Sequence, residues 1–141
     1  MSGTNADRLA PLREEHERIL RQLGSVQAGI KDHSPSSNRR LQGLIDGLGS
    51  RLEAHFADEE RTLYKPLKQR LGKDSPISEM VREHRSIRRT FEKLRSASNE
   101  YEAHRSRIGD LRLSLDSLQR EINGHIEKEE KVLFWLADLK L

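Results

Sequence analysis

His55-Phe56-Ala57-Asp58-Glu59-Glu60-Arg61-Thr62-Leu63-Tyr64 recurs 70 residues later as His125-Ile126-Glu127-Lys128-Glu129-Glu130-Lys131-Val132-Leu133-Phe134. In both copies a histidine precedes a glutamate by four positions. At about 100° per residue, such a pair lies on one helical face, one turn apart, and aims an imidazole and a carboxylate at the same point. A second repeat accompanies the first: Glu15-His16 returns as Glu83-His84, 68 residues on. Together they describe two similar helical hairpins facing each other about a pseudo-two-fold axis.

Working outward, four stretches carry apolar residues spaced alternately by three and four. They are Leu9, Leu12, His16, Ile19, Leu23, Val26; then Leu41, Ile45, Leu48, Leu52, His55, Glu59; then Ile77, Met80, His84, Ile87, Phe91, Leu94; and Ile108, Leu111, Leu115, Leu118, Ile122, His125, Glu129, Val132, Leu136. This spacing is the narrow seam of packed, nearly antiparallel helices. The chain therefore reads as one all-α domain over residues 1–141, an antiparallel up-down-up-down four-helix bundle with helices at about 8–32, 38–71, 76–103 and 107–138. Breaks support the division. Pro35 keeps Ser34 out of the helical region within His33-Ser34-Pro35-Ser36-Ser37, and Ser37 suits an N-cap. In Gly72-Lys73-Asp74-Ser75-Pro76, Gly72 suits a helix C′ position, Ser75 an N-cap and Pro76 the first helical residue. A weaker break falls around His104-Arg105-Ser106. Pro66 is expected to kink or loosen the last turn of the second helix. Gly43, Gly47 and Gly49 make the first half of that helix intrinsically poor, so it must rely on packing.

Composition excludes much. Hydrophobic residues are 33%, charged residues 35% and aromatics 4% of the chain, which fits narrow seams and wide solvated faces. No run approaches the length of a membrane span, and the N-terminal stretch shows no signal peptide. With no cysteine, disulfide scaffolds, zinc ribbons, iron–sulfur ligation and thiol nucleophiles are out, and a cytosolic home is expected. Lys+Arg number 26 and Asp+Glu 23, a net charge of +3 with the signs interspersed, so nucleic acid is not an expected partner. Arg82, Arg85, Arg88, Arg89 and Arg95 make the third helix basic and read as a solvated face.

Each seam holds one histidine where a leucine would be expected. In an antiparallel hairpin, residues equidistant from the turn share a level. The point midway between His16 and His55 falls in the Pro35 break, that between Glu59 and His84 at Gly72, and that between His84 and His125 at the third break. Six polar residues thus meet at one inward-facing level, well inside the bundle. Four imidazoles and two carboxylates in a helical core are costly unless compensated, and a metal site compensates them. Nitrogen and oxygen ligands suit iron, manganese or zinc. One tetrahedral zinc leaves two ligands redundant, whereas two metals use all six. Two histidines per metal, two bridging glutamates and a bridging oxide or hydroxide give five ligands and one open position each. This favours iron first and manganese second.

The order H…HxxxE…H…HxxxE, with DEERTLYKPL and EKEEKVLFWL around the glutamates, resembles the hemerythrin-like (HHE cation-binding) family of di-iron four-helix bundles. The resemblance covers almost the whole chain. It implies the metal ligands His16, His55, Glu59, His84, His125 and Glu129, with Glu59 and Glu129 bridging two iron ions. The oxygen-carrying members have a fifth histidine four residues after the third-helix ligand, where this chain has Arg88. They also use an aspartate five residues after the last histidine, where this chain has Glu130. The four-His, two-Glu set is closer to the di-iron domain of repair-of-iron-centres proteins, whose cysteine-bearing N-terminal segment has no counterpart here. The expected function is a non-haem di-iron protein that binds or senses dioxygen, nitric oxide or peroxide, as a monomer or homodimer. The alternatives are an enzyme that turns over peroxide or nitric oxide, with an unknown electron donor, and a helical interaction module whose metal is structural. Glu15 and Glu83 are read as solvated more readily than as partners of the ligand histidines. His33 and His104 are expected in solvent at turns, and Tyr64, Tyr101 and Trp135 as packing or rim residues away from the site.

Overall fold

The computed structural model describes residues 5–31, 37–72, 76–103 and 108–141. Four helical rods make the fold. α1 is Asn5–Lys31. α2, residues 38–71, comprises Asn38–Glu59, a π-helical turn Glu60–Tyr64 and Lys65–Leu71. α3 is Ile77–Ala103. α4, residues 108–140, comprises Ile108–Lys128, a π-helical turn Glu129–Leu133 and Phe134–Lys140. Chain neighbours pack side by side and α4 returns to α1, closing the bundle. Among the described residues, no helix is long and apolar enough to cross a membrane.

The seams are buried as their spacing requires, because a stripe at three-and-four spacing is the only face each rod can bury against its neighbours. The apolar core splits into two clusters. One is built around Ile19, Leu23, Leu48, Leu52, Phe56, Ile87, Leu115 and Leu118. The other gathers Leu9, Leu12, Leu63, Leu67, Met80, Leu133 and Phe134. Between them lies a polar layer.

Local chemistry explains the termini, with corrections. Gly72 ends α2 with φ 79° and ψ −167°, a region open essentially to glycine alone, and its N–H donates to the Lys68 carbonyl at 2.9 Å. Pro76 sits one residue before α3, and its carbonyl accepts the first helical bond from Met80 N–H at 3.2 Å. Ser37 has helical dihedrals and makes no side-chain cap bond. It does occupy the N-cap position of α2, but φ −96° and ψ −3° are not the extended dihedrals from which a serine hydroxyl caps a helix. The expected break residues 33–36, 73–75 and 104–106, with His33 and His104 among them, lie outside the described residues.

The expectation that Pro66 loosens α2 needs a different cause. A π-turn does precede Pro66, yet α4 makes the same turn with Leu136 at the equivalent position. What the two segments share is the His-x-x-x-Glu-Glu-x-x-Leu-aromatic sequence. One extra residue per turn shifts the seam beyond Glu129. Val132, expected inside, is 41% exposed, and Leu136 is half-buried, while Leu133, Phe134 and Ala137 take the interior.

The glycines of α2 divide by environment. A Cβ on Gly49 would lie 2.5 Å from Phe91 Cζ, whereas one on Gly43 would meet nothing within 4 Å. Gly49→Ala should therefore destabilise the protein by about 1–3 kcal/mol despite alanine's helix propensity, because the buried Phe91 ring must move. Gly43→Ala should stabilise it by up to about 1 kcal/mol. Urea unfolding midpoints of the two variants check the pair.

Candidate metal centre

All six sequence-selected residues meet in the polar layer. His16, His55, Glu59, His84, His125 and Glu129 are each at most 4% exposed, and both glutamates are fully buried. α1 supplies His16, α2 His55 and Glu59, α3 His84, and α4 His125 and Glu129. Their ligand atoms form two groups, His16-His55-Glu59-Glu129 and Glu59-His84-His125-Glu129, each with those atoms within 4.8 Å of one another. Both groups contain both glutamates.

The imidazoles point the same way. Each turns Nε2 inward: His16 Nε2 is 3.2 Å from Glu59 and 2.9 Å from Glu129, His55 Nε2 is 3.1 Å from Glu59, His84 Nε2 is 3.2 Å from Glu59, and His125 Nε2 is 3.3 Å from Glu129. Nε2 of His84 and His125 stand 3.1 Å apart. His55 Nε2 and Glu59 Oε1 are buried and near other polar atoms, yet make no aligned hydrogen bond. Lone pairs converge without enough protons between them, and a cation at their focus satisfies such a set. The residues therefore fit a metal.

Three of the four outward Nδ1 atoms meet carboxylates, as metal-bound imidazoles require. His16 Nδ1 is 2.7 Å from Glu130, His125 Nδ1 2.8 Å from Glu83, and His84 Nδ1 3.3 Å from Glu60. Glu83 is thus a histidine partner, contrary to its reading as solvated, and it also accepts from Lys128 at 2.7 Å. Glu15 follows that reading, pairing with Arg18 at 3.0 Å and Arg51 at 3.3 Å and with no histidine. From sequence, Glu60 had no assigned role and Glu130 stood only at the position of the oxygen carriers' aspartate. Their signal was present, since each is the second glutamate of the repeated Glu-Glu pair.

Tyr64 is the other residue the sequence reading misplaced. Its hydroxyl donates to Glu129 Oε2 and lies 3.0 Å from His84 Nε2 and 3.4 Å from His125 Nε2. In an unbroken α-helix Tyr64 would stand about 140° from Glu59, and the extra residue of the π-turn brings it back by about 100°. Its counterpart Phe134 has no hydroxyl and stacks on His16 with ring centroids 5.8 Å apart. Phe56 stacks on His84 at 3.8 Å. Arg88 lies outside the layer, bonded to Glu53 at 2.8 Å. Trp135 is 58% exposed at the rim, and the Tyr101 side chain lies outside the described residues.

Charge in the layer is unevenly held. Burial opposes the charged form of Glu59, but the close imidazoles of His16, His55 and His84 prevail and keep its pKa well below 4.5. Burial likewise opposes a charged His16, yet Glu59 and Glu130 raise its pKa. His125 goes the other way, lowered by burial and by the charge of His84. Burial and the surrounding carboxylates push the Tyr64 phenol above its usual value.

A bundle that buries four histidines and two glutamates in one layer belongs to the class of helical cation-binding domains. The hemerythrin HHE cation binding domain matches residues 7–137, and the chain belongs to that family. It is also 26% identical over 107 residues to the iron-sulfur cluster repair protein DnrN of Neisseria gonorrhoeae, covering 72% of this chain and 68% of the relative. No solved structure matches the chain.

Because the folded pKa of Glu59 is depressed, its contribution to stability is present above the unfolded value and lost as pH falls through the folded one. The metal-free protein should lose urea resistance as pH is lowered from about 5 to about 3. Glu59→Gln should show a shallower loss over that range. Parallel slopes in the two proteins would contradict the assignment of charge to Glu59.

Proposed function

We propose that His16, His55, Glu59, His84, His125 and Glu129 hold two iron ions, and that this is a cytoplasmic non-haem di-iron protein that binds or senses dioxygen, nitric oxide or peroxide. The observation that carries the reading is that the two four-residue groups share both glutamates. His16 and His55 would hold one ion, His84 and His125 the other, with Glu59 and Glu129 between them. Nitrogen and oxygen donors without thiolate suit iron, and bound iron supplies a Lewis-acidic centre with redox capacity.

The chain's own residues supply the rest. The two apolar clusters exclude water on either side of the layer. Glu130, Glu60 and Glu83 hold the Nδ1 protons of His16, His84 and His125 and fix the ring orientations. Tyr64 keeps a proton at its hydroxyl beside His84 and His125.

A second reading, iron–sulfur cluster repair, rests on the likeness to DnrN. It would require a partner protein to hold the cluster, because this chain has no cysteine.

Optical titration of the iron-loaded protein with nitric oxide, peroxide and dioxygen tests the first reading. The expected result is a metal-centred visible spectrum that responds to at least one of the three and is lost in His55→Ala/His125→Ala. Tyr64→Phe should retain the metal and alter the spectrum. A spectrum inert to all three ligands would leave only a structural metal.

A further inference from the structure

The internal repeat breaks at one of the four histidines. His16, His84 and His125 each present Nδ1 to a carboxylate, whereas His55 Nδ1 is buried and has no partner among the described residues. The residue that should serve it is evident from the repeat. Glu15 corresponds to Glu83, and His55 corresponds to His125, whose Nδ1 bonds Glu83 at 2.8 Å. Glu15 and His55 line one cleft of about 590 Å³, so the carboxylate is close at hand. It is turned away by two arginines, Arg18 at 3.0 Å on one oxygen and Arg51 at 3.3 Å on the other.

The other half has no such competitors. Arg18 corresponds to Ser86 and Arg51 to Glu121, and these two bond each other at 3.2 Å. On that side Lys128 holds one oxygen of Glu83 at 2.7 Å and leaves the other for His125. The groove over His125 is also smaller, about 260 Å³. The asymmetry of the outer carboxylates therefore falls on one imidazole, the one beneath the larger opening.

Given the two-ion reading above, on which this rests, we propose that Arg18 and Arg51 make the two metal positions unequal. By holding Glu15 off His55 they leave the ion between His16 and His55 the weaker-held and exchangeable one. An imidazole without an acceptor on its outer nitrogen is a poorer donor in a less fixed orientation, and loss of such a partner typically lowers metal affinity about 10- to 100-fold. The His84–His125 position keeps both of its outer carboxylates. Arg18 and Arg51 act through Glu15 as positioning residues and touch no metal.

Calorimetric titration of the metal-free full chain with manganese(II) tests the inference. Wild type should take up two ions per chain in two events separated by about 10- to 100-fold in affinity. Arg18→Gln/Arg51→Gln should strengthen the weaker event by about tenfold and leave the tighter one in place. Adding Glu15→Gln should cancel that gain, while Glu15→Gln alone should change nothing. Glu83→Gln should weaken the tighter event. Arg18 and Arg51 are 47% and 35% exposed, so the double variant should keep its helix content, which far-ultraviolet dichroism checks. Two equal events in wild type, or an arginine variant with an unchanged isotherm, would overturn this inference alone. Fewer than two bound ions would overturn the two-ion reading with it.

Discussion

Two carboxylates and four imidazoles face one another across the middle of a bundle whose interior is otherwise largely apolar. An ionised carboxylate with no solvent contact is among the costliest groups a fold can bury, and Glu59 and Glu129 have none. Everything around them answers that cost. The helices arrive at a level that brings an imidazole from each rod to the glutamates. The outer carboxylates on three Nδ1 atoms keep the Nε2 lone pairs turned inward. Apolar clusters above and below keep water from relaxing the arrangement. A multivalent cation would balance the charge of such a layer.

The near-symmetry of the layer makes its departures informative. Two hairpins with the same His-Glu-Glu pattern could have built two equivalent half-sites. Instead Tyr64 in one half is matched by Phe134 in the other, and Glu83 bonds its histidine while Glu15 does not. One hydroxyl and one carboxylate thus separate the two halves. Both differences favour the His84–His125 side with additional polar contacts, and both leave the His16–His55 side leaner and beneath the larger cleft. The two halves thus keep the same histidines and differ in the residues that touch them.

Much of this was legible in the sequence, for a physical reason. Three-and-four spacing is a direct consequence of α-helical geometry, and the breaks read from sequence at Pro35 and Gly72 set the expected register, so the meeting of His16, His55, Glu59, His84, His125 and Glu129 followed from arithmetic along regular helices. The reading failed where the helices stop being regular. The π-turns at Glu60–Tyr64 and Glu129–Leu133 have no propensity signature, and they turned Tyr64 inward and Val132 outward against the α-helical count. Sequence spacing also places a side chain on a face without saying which partner it chooses there. Glu15 and Glu83 occupy equivalent positions, and only the arrangement of Arg18, Arg51 and Lys128 in space decides that one bonds arginine and the other histidine. Glu60 and Glu130 were hidden in the same way, as surface-like residues beside a buried neighbour.

We propose that Glu59 and Glu129 are shared between two metal ions. Mössbauer spectroscopy of the protein loaded with iron-57, together with an iron count, tests it most directly. The account requires two irons per chain whose spins couple magnetically through the shared ligands. One iron per chain, or two that remain magnetically independent, would contradict it.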